Sequence, residues 1–286
     1  MEKLTIGPSG NSQIFYDAGY KKSIQAPIWL QSVGLDGYEY SFGRGFTMGK
    51  QTALELGNQA KECGVTVSVH APYFINFANP SDEMIQKSIA YVTKSLEYLQ
   101  WMGGEKIVVH TGSVGKQTRE DAILRTKETL KRCLCVVKDN FDMTGKYICL
   151  ETMGKTQQIG TYAEIIDLCT MDDILMPTFD FGHINCIMQG KLLLENDYQN
   201  IFDLCKQKLG LFRTKNCHIH FSKIEYGPKG EIRHLDFSDT IYGPEFLPLA
   251  KCIKQNGFTP SIICESSQKM MEDALTMKKI YDSIQI

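Results

Sequence analysis

Nowhere does this 286-residue chain approach the roughly 20 consecutive apolar residues that a bilayer-spanning helix requires. Its first residues, Met1-Glu2-Lys3-Leu4-Thr5-Ile6-Gly7, also lack the apolar core of a secretory signal. The expectation is a cytoplasmic protein with no membrane partner. Ten cysteines are present, but no CxxC pair occurs, and several stand within apolar runs such as Tyr147-Ile148-Cys149-Leu150 and Ile262-Ile263-Cys264. They read as reduced core residues rather than a disulfide framework. Excess charge of one sign is missing as well: 31 Lys+Arg stand against 33 Asp+Glu, a net charge of −2. No bulk basic surface therefore drives non-specific nucleic-acid or membrane binding, and a polyanionic partner must be met locally, by a patch or by bound metal cations. Linkers, low-complexity segments and short-period repeats are absent too. With 43% hydrophobic residues, the length suffices for one large domain spanning 1–286.

What is there is an alternation of short β-rich apolar runs with helical-period segments, the pattern of βα units on a parallel sheet. Expected strands are Leu4–Gly7, Tyr38–Phe42, Val65–His70, Lys106–His110, Tyr147–Glu151, Ile174–Asp180, Asn216–His220 and Ser261–Glu265. Thr118-Arg119-Glu120-Asp121 and Thr161-Tyr162-Ala163-Glu164 fit the capping box, in which a hydroxyl and a carboxylate three residues later satisfy each other's orphan amides. Ser81 stands before a helix whose apolar positions Ile85, Ile89, Val92, Leu96 and Leu99 recur at three and four residues, with Gly103-Gly104 as the stop. Pro244 suits the first turn of a helix that Gly257 ends. Only Ile14 to Gln31 shows no clean helix. Eight strands, each followed by a helix or long loop, predict an α/β fold closed as a (β/α)8 TIM barrel, one domain near the typical ~250 residues.

Six consecutive strands end on a potential metal ligand: His70, His110, Glu151, Asp180, His218 and Glu265. In a barrel, equivalent strand ends converge on one rim, so these distant residues are expected to meet. His183 and His234 follow in the loops expected after strands six and seven, which places all six histidines, His220 included, at or beyond strand ends and none in an expected helix. A single histidine has several ordinary roles. Here the acids that close apolar strands would be costly to bury without a cation or another partner. Imidazole and carboxylate together suit Zn, Mn or Fe, and a carboxylate can bridge two cations.

The residues from Val69 to Glu265 resemble the endonuclease IV family of apurinic/apyrimidinic endonucleases, (β/α)8 barrels that carry three zinc ions. His70-Ala71-Pro72-Tyr73-Phe74 is similar to the family's histidine followed by Tyr-Leu, and Val109-His110-Thr111-Gly112 to its second histidine motif. Leu150-Glu151-Thr152 stands where the family has Leu-Glu-Asn, and Asp180-Phe181-Gly182-His183 reproduces its Asp-x-x-His. His218-Ile219-His220-Phe221-Ser222-Lys223 matches His-Leu-Asn-Asp-Ser-Lys in spacing, and Glu265 its last acid. The resemblance implies a first zinc on His70, His110 and Glu151, and a second bridged by the catalytic Glu151 and held by Asp180, His218 and Glu265. A third would lie on His183 and His234. It also implies incision of duplex DNA on the 5′ side of an abasic site, with no obligate protein partner.

The family's Asp-Arg-His reads Ile232-Arg233-His234 here, which leaves the third zinc short of a carboxylate. Glu231 is the nearest substitute and Asp236 a second, while His220 can supply a new ligand. A third site of reduced occupancy is expected. For DNA contact, Tyr73 and Phe74 fit the family's wedge into the gap left by a flipped nucleotide, or else cover the barrel rim. Arg44 in Gly43-Arg44-Gly45 and Lys223 are further DNA-binding candidates, against solvated loop positions. Two other functions compete. A sugar isomerase or epimerase on the related xylose isomerase-like barrel needs one divalent metal on Glu151, Asp180, His218 and Glu265, and gives no role to His70 and His110. A non-catalytic metal-binding barrel is the other.

Overall fold

The computed structural model describes residues 3–285; Met1 and Glu2, at the head of the segment read above for a signal, and Ile286 lie outside it. The strands are β1 (Thr5–Pro8), β2 (Gly37–Ser41), β3 (Thr66–His70), β4 (Lys106–Val109), β5 (Tyr147–Glu151), β6 (Leu175–Asp180), β7 (His218–Phe221), β8 (Lys223–Gly227), β9 (Gly230–Leu235) and β10 (Ser261–Cys264). Eight of them pair in parallel in the order β1-β10-β7-β6-β5-β4-β3-β2, and each of the eight expected strands is met within two residues. The fold is the expected TIM barrel. Its last seam, between β1 and β2, is bridged by the Asp36 amide donating to the Ile6 carbonyl (3.2 Å) while the Asp36 carboxylate accepts from the Ile6 amide (2.9 Å). The approach is so close that a Cβ on Gly7 would overlap the Gly37 carbonyl. Glycine is required there by the backbone of the neighbouring strand rather than by a turn.

Around the barrel run α1 (Gln13–Asp17), α2 (Ala26–Val33), α3 (Lys50–Cys63), α4 (Asp82–Met102), α5 (Arg119–Asn140), α6 (Tyr162–Cys169), α7 (Phe181–Ile187), α8 (Glu195–Lys215), α9 (Phe246–Gln255) and α10 (Met270–Ser283). The apolar stripe of α4 is buried as its period requires, each such side chain contributing about 1.5–3 kcal/mol. Thr161 and Glu164 form the complete capping box of α6, their reciprocal bonds 3.3 and 2.9 Å long, and Thr118 caps α5 through the Asp121 amide. Ser81 occupies the α4 cap position without a side-chain bond, and Pro244 precedes α9 by two residues instead of entering its first turn. None of the helices is long and apolar enough to cross a membrane among the described residues.

Three features depart from expectation. Ile14 to Gln31 is covered by two short helices, α1 and α2, with a 3-10 turn at Ser23–Gln25 between them. The stretch after β7, expected as a loop, is the antiparallel hairpin β8–β9. His183 lies in a helix, because Asp180 caps α7 by accepting from the His183 amide at 2.8 Å. At the lower end of the barrel, the buried Lys106 ammonium donates to the carbonyls of Asn216 (2.8 Å) and Cys217 (3.3 Å) and to the Ser261 hydroxyl (3.1 Å).

Candidate metal centre

The upper strand ends open into a cleft of about 370 Å³ whose wall includes His70, His110, Glu151, His183, Glu231, His234 and Glu265. Glu151, at the end of β5, is its hub. One carboxylate oxygen lies 2.8 Å from Nε2 of His110 and 3.2 Å from Nε2 of His70; the other lies 3.0 Å from Nδ1 of His220. Among the described residues, five ligand sets have donor atoms within 4.8 Å of one another: His70, His110 and Glu151; Glu151, Asp180, His220 and Glu265; His183, Glu231 and His234; His70, His220 and Glu265; and, deeper in the barrel, Glu39, His218 and His220. The first two share Glu151, so a carboxylate is positioned to bridge.

Backbone contacts fix which nitrogen each imidazole presents. Nδ1 of His70 lies 2.7 Å from the Ala71 carbonyl, Nδ1 of His183 lies 2.9 Å from that of Thr152, and Nδ1 of His234 lies 3.0 Å from that of Glu265. A carbonyl can only accept, so each of these Nδ1 atoms carries a proton and Nε2 is the nitrogen that can offer a lone pair to an ion in the cleft.

His218 is a correction. The strand register sets His220 level with Asp180 and His218 level with Thr178, so His218 sits one inward layer deeper, about 6.6 Å down the strand. It is His220 that joins Asp180 and Glu265. His218 instead places Nε2 2.9 Å from Glu39, a carboxylate in the middle of β2 that the sequence reading missed. The Ser68 hydroxyl donates to the same Glu39 oxygen at 2.7 Å, and the other oxygen lies 2.9 Å from Nε2 of His220.

The third set owes its existence to a β-bulge. Along β8–β9, Glu225 opposes Arg233 and Tyr226 opposes Glu231, which leaves Ile232 as an extra residue without a partner. Residues three apart in a regular strand point to opposite faces. One extra residue restores them to the same face. Glu231 and His234 therefore both turn toward His183, with Glu231 oxygens 3.5 Å from His183 Nε2 and 3.9 Å from His234 Nε2. Ile232 turns outward and is 58% exposed. The bulge thus brings an acid three residues before His234 to the face that one two residues before it would occupy in a regular strand, and Asp236 takes no part, its carboxylate accepting instead from the amides of Gln268 and Lys269. Gly154 completes the packing: a Cβ there would come within 2.6 Å of the His183 ring and 2.9 Å of the Glu231 Cβ.

The electrostatics call for positive charge. Burial opposes a charged His70, yet its hydrogen bond to Glu151 and the charges of Glu151, Glu39 and Glu265 raise its pKa to about 9. Burial likewise opposes charge on His183 and His220, and surrounding carboxylates raise both. Glu151, despite its burial, is held well below the usual carboxylate range by His110 and His220, whereas burial pushes Glu265 up. Asp180 Oδ2 is buried with no hydrogen-bond partner. A buried carboxylate oxygen without a donor, facing neutralisable imidazoles and further acids, could hold a divalent cation.

Tyr73 and Phe74 stand on the rim, 45% and 47% exposed with ring centroids 4.7 Å apart, and the Arg44 Nε donates to the Tyr73 hydroxyl at 3.0 Å. Lys223 is a second correction: it is neither a phosphate contact nor a solvated loop residue. It lies buried in β8, its ammonium held by Glu245 (2.6 Å) and the Asp239 carbonyl (2.8 Å). The cleft wall carries a different cation, Lys155, beside Gln158, on the β5–α6 loop, which Arg119 ties down through the carbonyls of Thr156 and Gln158 and the Glu164 carboxylate. The strand-end pattern held no signal for Lys155, since it lies four residues beyond Glu151.

A family model described as the xylose isomerase-like TIM barrel matches residues 28–280. An uncharacterized protein of Methanocaldococcus jannaschii is 31% identical over 258 residues, covering 89% of this chain and 90% of that protein. A probable endonuclease 4 of Staphylococcus carnosus is 31% identical over 182 residues, covering 61% of this chain but only 58% of that endonuclease's length. Among solved structures, endonuclease IV from Thermus thermophilus superposes with a TM-score of 0.69 at 16% identity, over 98% of each chain. A D-tagatose 3-epimerase-like protein superposes with 0.67 at 19%, over 87% of each. At those identities the structural likeness speaks for the fold alone.

Proposed function

Since the chain belongs to the xylose isomerase-like TIM barrel family, we propose that it is a metal-dependent phosphodiester hydrolase of the endonuclease IV type, cutting duplex DNA on the 5′ side of an abasic site. The observation that carries this reading is the third ligand set: His183, Glu231 and His234 stand together on the same cleft as His70, His110 and Glu151, a provision that a one-metal sugar site does not need. His70, His110 and Glu151 would hold one ion, Glu151, Asp180, His220 and Glu265 a second, and the third set another. The donors suit zinc, with manganese or iron also served. The chemistry supplied by bound ions of this kind is a water made nucleophilic at neutral pH and charge neutralisation on the phosphoryl group and its leaving oxygen.

The chain's own residues do the rest. Glu151 spans two ligand sets and fixes their spacing. Lys155, whose ammonium sits 3.9 Å from Glu231, brings a positive charge to the mouth of the cleft, where a substrate phosphate arrives. Tyr73, braced by Arg44, and Phe74 stack on the bases that border the gap. Ten free cysteines, most of them buried, support the reducing cytoplasm as the place of action. The test is an incision assay on a duplex with one abasic analogue, beside elemental analysis of protein purified without chelator. At least two ions per chain and a nick 5′ to the lesion are expected; one ion or none, or an intact duplex, would refute the proposal.

A second reading rests on a specific observation: Glu151, Asp180, His220 and Glu265 are complete by themselves as a one-metal set, and an epimerase of ketose sugars could work with them alone. A single bound ion and turnover of a ketohexose would favour it.

A further inference from the structure

We propose that Glu39 is a positioning residue for the metal centre, holding the His220 ring through the barrel core so that Nδ1 is turned to the ion set of Glu151, Asp180 and Glu265. The inference rests on reading those residues as a metal site. Glu39 lies in the middle of β2, its side chain wholly inaccessible, where an ionised carboxylate is costly unless its oxygens are satisfied. One oxygen accepts from Ser68 and faces His218, and the other stands 2.9 Å from His220 as an ion-pair contact without a hydrogen bond.

An imidazole that ligates through one nitrogen needs the proton on the other held in place. His70, His183 and His234 meet that need with backbone carbonyls at Nδ1, which leaves Nε2 as the donor. His220 is arranged the other way round. Its Nδ1 lies 3.0 Å from Glu151 and 3.4 Å from Glu265, and its Nε2 points down the barrel to Glu39 at 2.9 Å. Among the described residues no carbonyl faces His220; its Nδ1 is within hydrogen-bond reach of Glu151, and Glu39 is the acid that stands against its Nε2. Ser68 and His218 both bind the far Glu39 oxygen, which pins the carboxylate and frees the near one for His220.

The test is metal binding by purified Glu39→Gln, followed by competition with a chromophoric chelator and by visible absorption of the cobalt-substituted protein. One ion should bind ~10–100-fold more weakly, the others as in wild type, with a changed cobalt band. His218→Gln, which leaves the Glu39–His220 contact in place, should weaken that ion far less. Circular dichroism and the melting temperature of the metal-stripped variants report folding. Should Glu39→Gln fail to fold, Ser68→Ala loosens the carboxylate without removing it and should weaken the same ion several-fold. Wild-type affinity for every ion with an unchanged cobalt band in the folded variant overturns the proposal, and so does equal weakening of all ions. A wild-type chain that binds no metal refutes the ligand reading itself and this inference with it.

Discussion

Nε2 of His183 lies 3.5 Å from a Glu231 carboxylate oxygen, and the pairing exists because Ile232 has no partner across the hairpin. The carboxylate expected two residues before His234 has a counterpart three residues before it. Glu231→Gln should lower the bound metal by one ion per chain, and deletion of Ile232 together with Glu231→Asp should restore it, since the pair recreates an unbulged Asp-Arg-His. Ile232→Asp should add no ligand, because its side chain points to solvent. Metal counts on the three variants check this; recovery through Ile232→Asp would show the bulge reading to be wrong.

Glu151→Gln should be the most damaging single change in the cleft, because it touches two ligand sets at once. Elemental analysis should show both ions weakened and incision lost, whereas Lys206→Gln on the exposed face of α8 should change neither. Equal behaviour of the two variants would remove the bridging role.

Replacing Tyr73 and Phe74 by alanine should weaken binding to abasic duplex by about 1–3 kcal/mol per stacked base, roughly one to two orders of magnitude for a single base. Undamaged duplex should be little affected. Fluorescence anisotropy on both DNAs separates this from rim packing, for which the two affinities would fall together.

Strand positions were legible because short apolar runs such as Lys106-Ile107-Val108-Val109 and Ser261-Ile262-Ile263-Cys264 alternate with helical-period segments, and the ligand-bearing strand ends followed from them. Glu39 was not legible. In Tyr38-Glu39-Tyr40 an acid between two aromatics reads as an outward-facing residue, and its partner His218 lies 179 residues away in the chain. The choice between His218 and His220 turned on register, which spacing against a motif cannot set; only pairing with Asp180 decides it. The hairpin did leave a trace, in the turn Gly227-Pro228-Lys229-Gly230 between alternating segments. The bulge within it left none, since an extra residue shows only against the partner strand. Lys223 misled because a lysine after a strand is exposed far more often than it is buried against a glutamate.

Metal-free protein should show a stability maximum near neutrality. His70 has a folded pKa of about 9 against an unfolded value near 6.5, so its contribution is complete below pH 6.5 and is lost as pH rises toward 9; His183 and His220 act in the same direction. His218 runs opposite: burial outweighs Glu39 and lowers it to about 4, so the unfolded state binds the extra proton and stability falls as pH drops from 6.5 to 4. Melting temperatures of chelator-treated protein across pH 4–9 should trace this dome, and added zinc should flatten its alkaline side by taking the place of the protons. A metal-free profile that keeps rising through pH 9 would contradict the charge balance of the cleft.

The Lys106 ammonium and the groups it binds fill the lower end of the barrel axis, and the donors of the cleft stand at different depths above them. His110 and His234 are 19% and 24% exposed, whereas Asp180 and His220 are wholly covered. A chelator approaching from solvent meets the outer donors first. If the cleft is loaded as proposed, extraction should be a sequence of separate rates rather than one event, with an ion on Asp180 and His220 the last to exchange and the one that survives dilution longest.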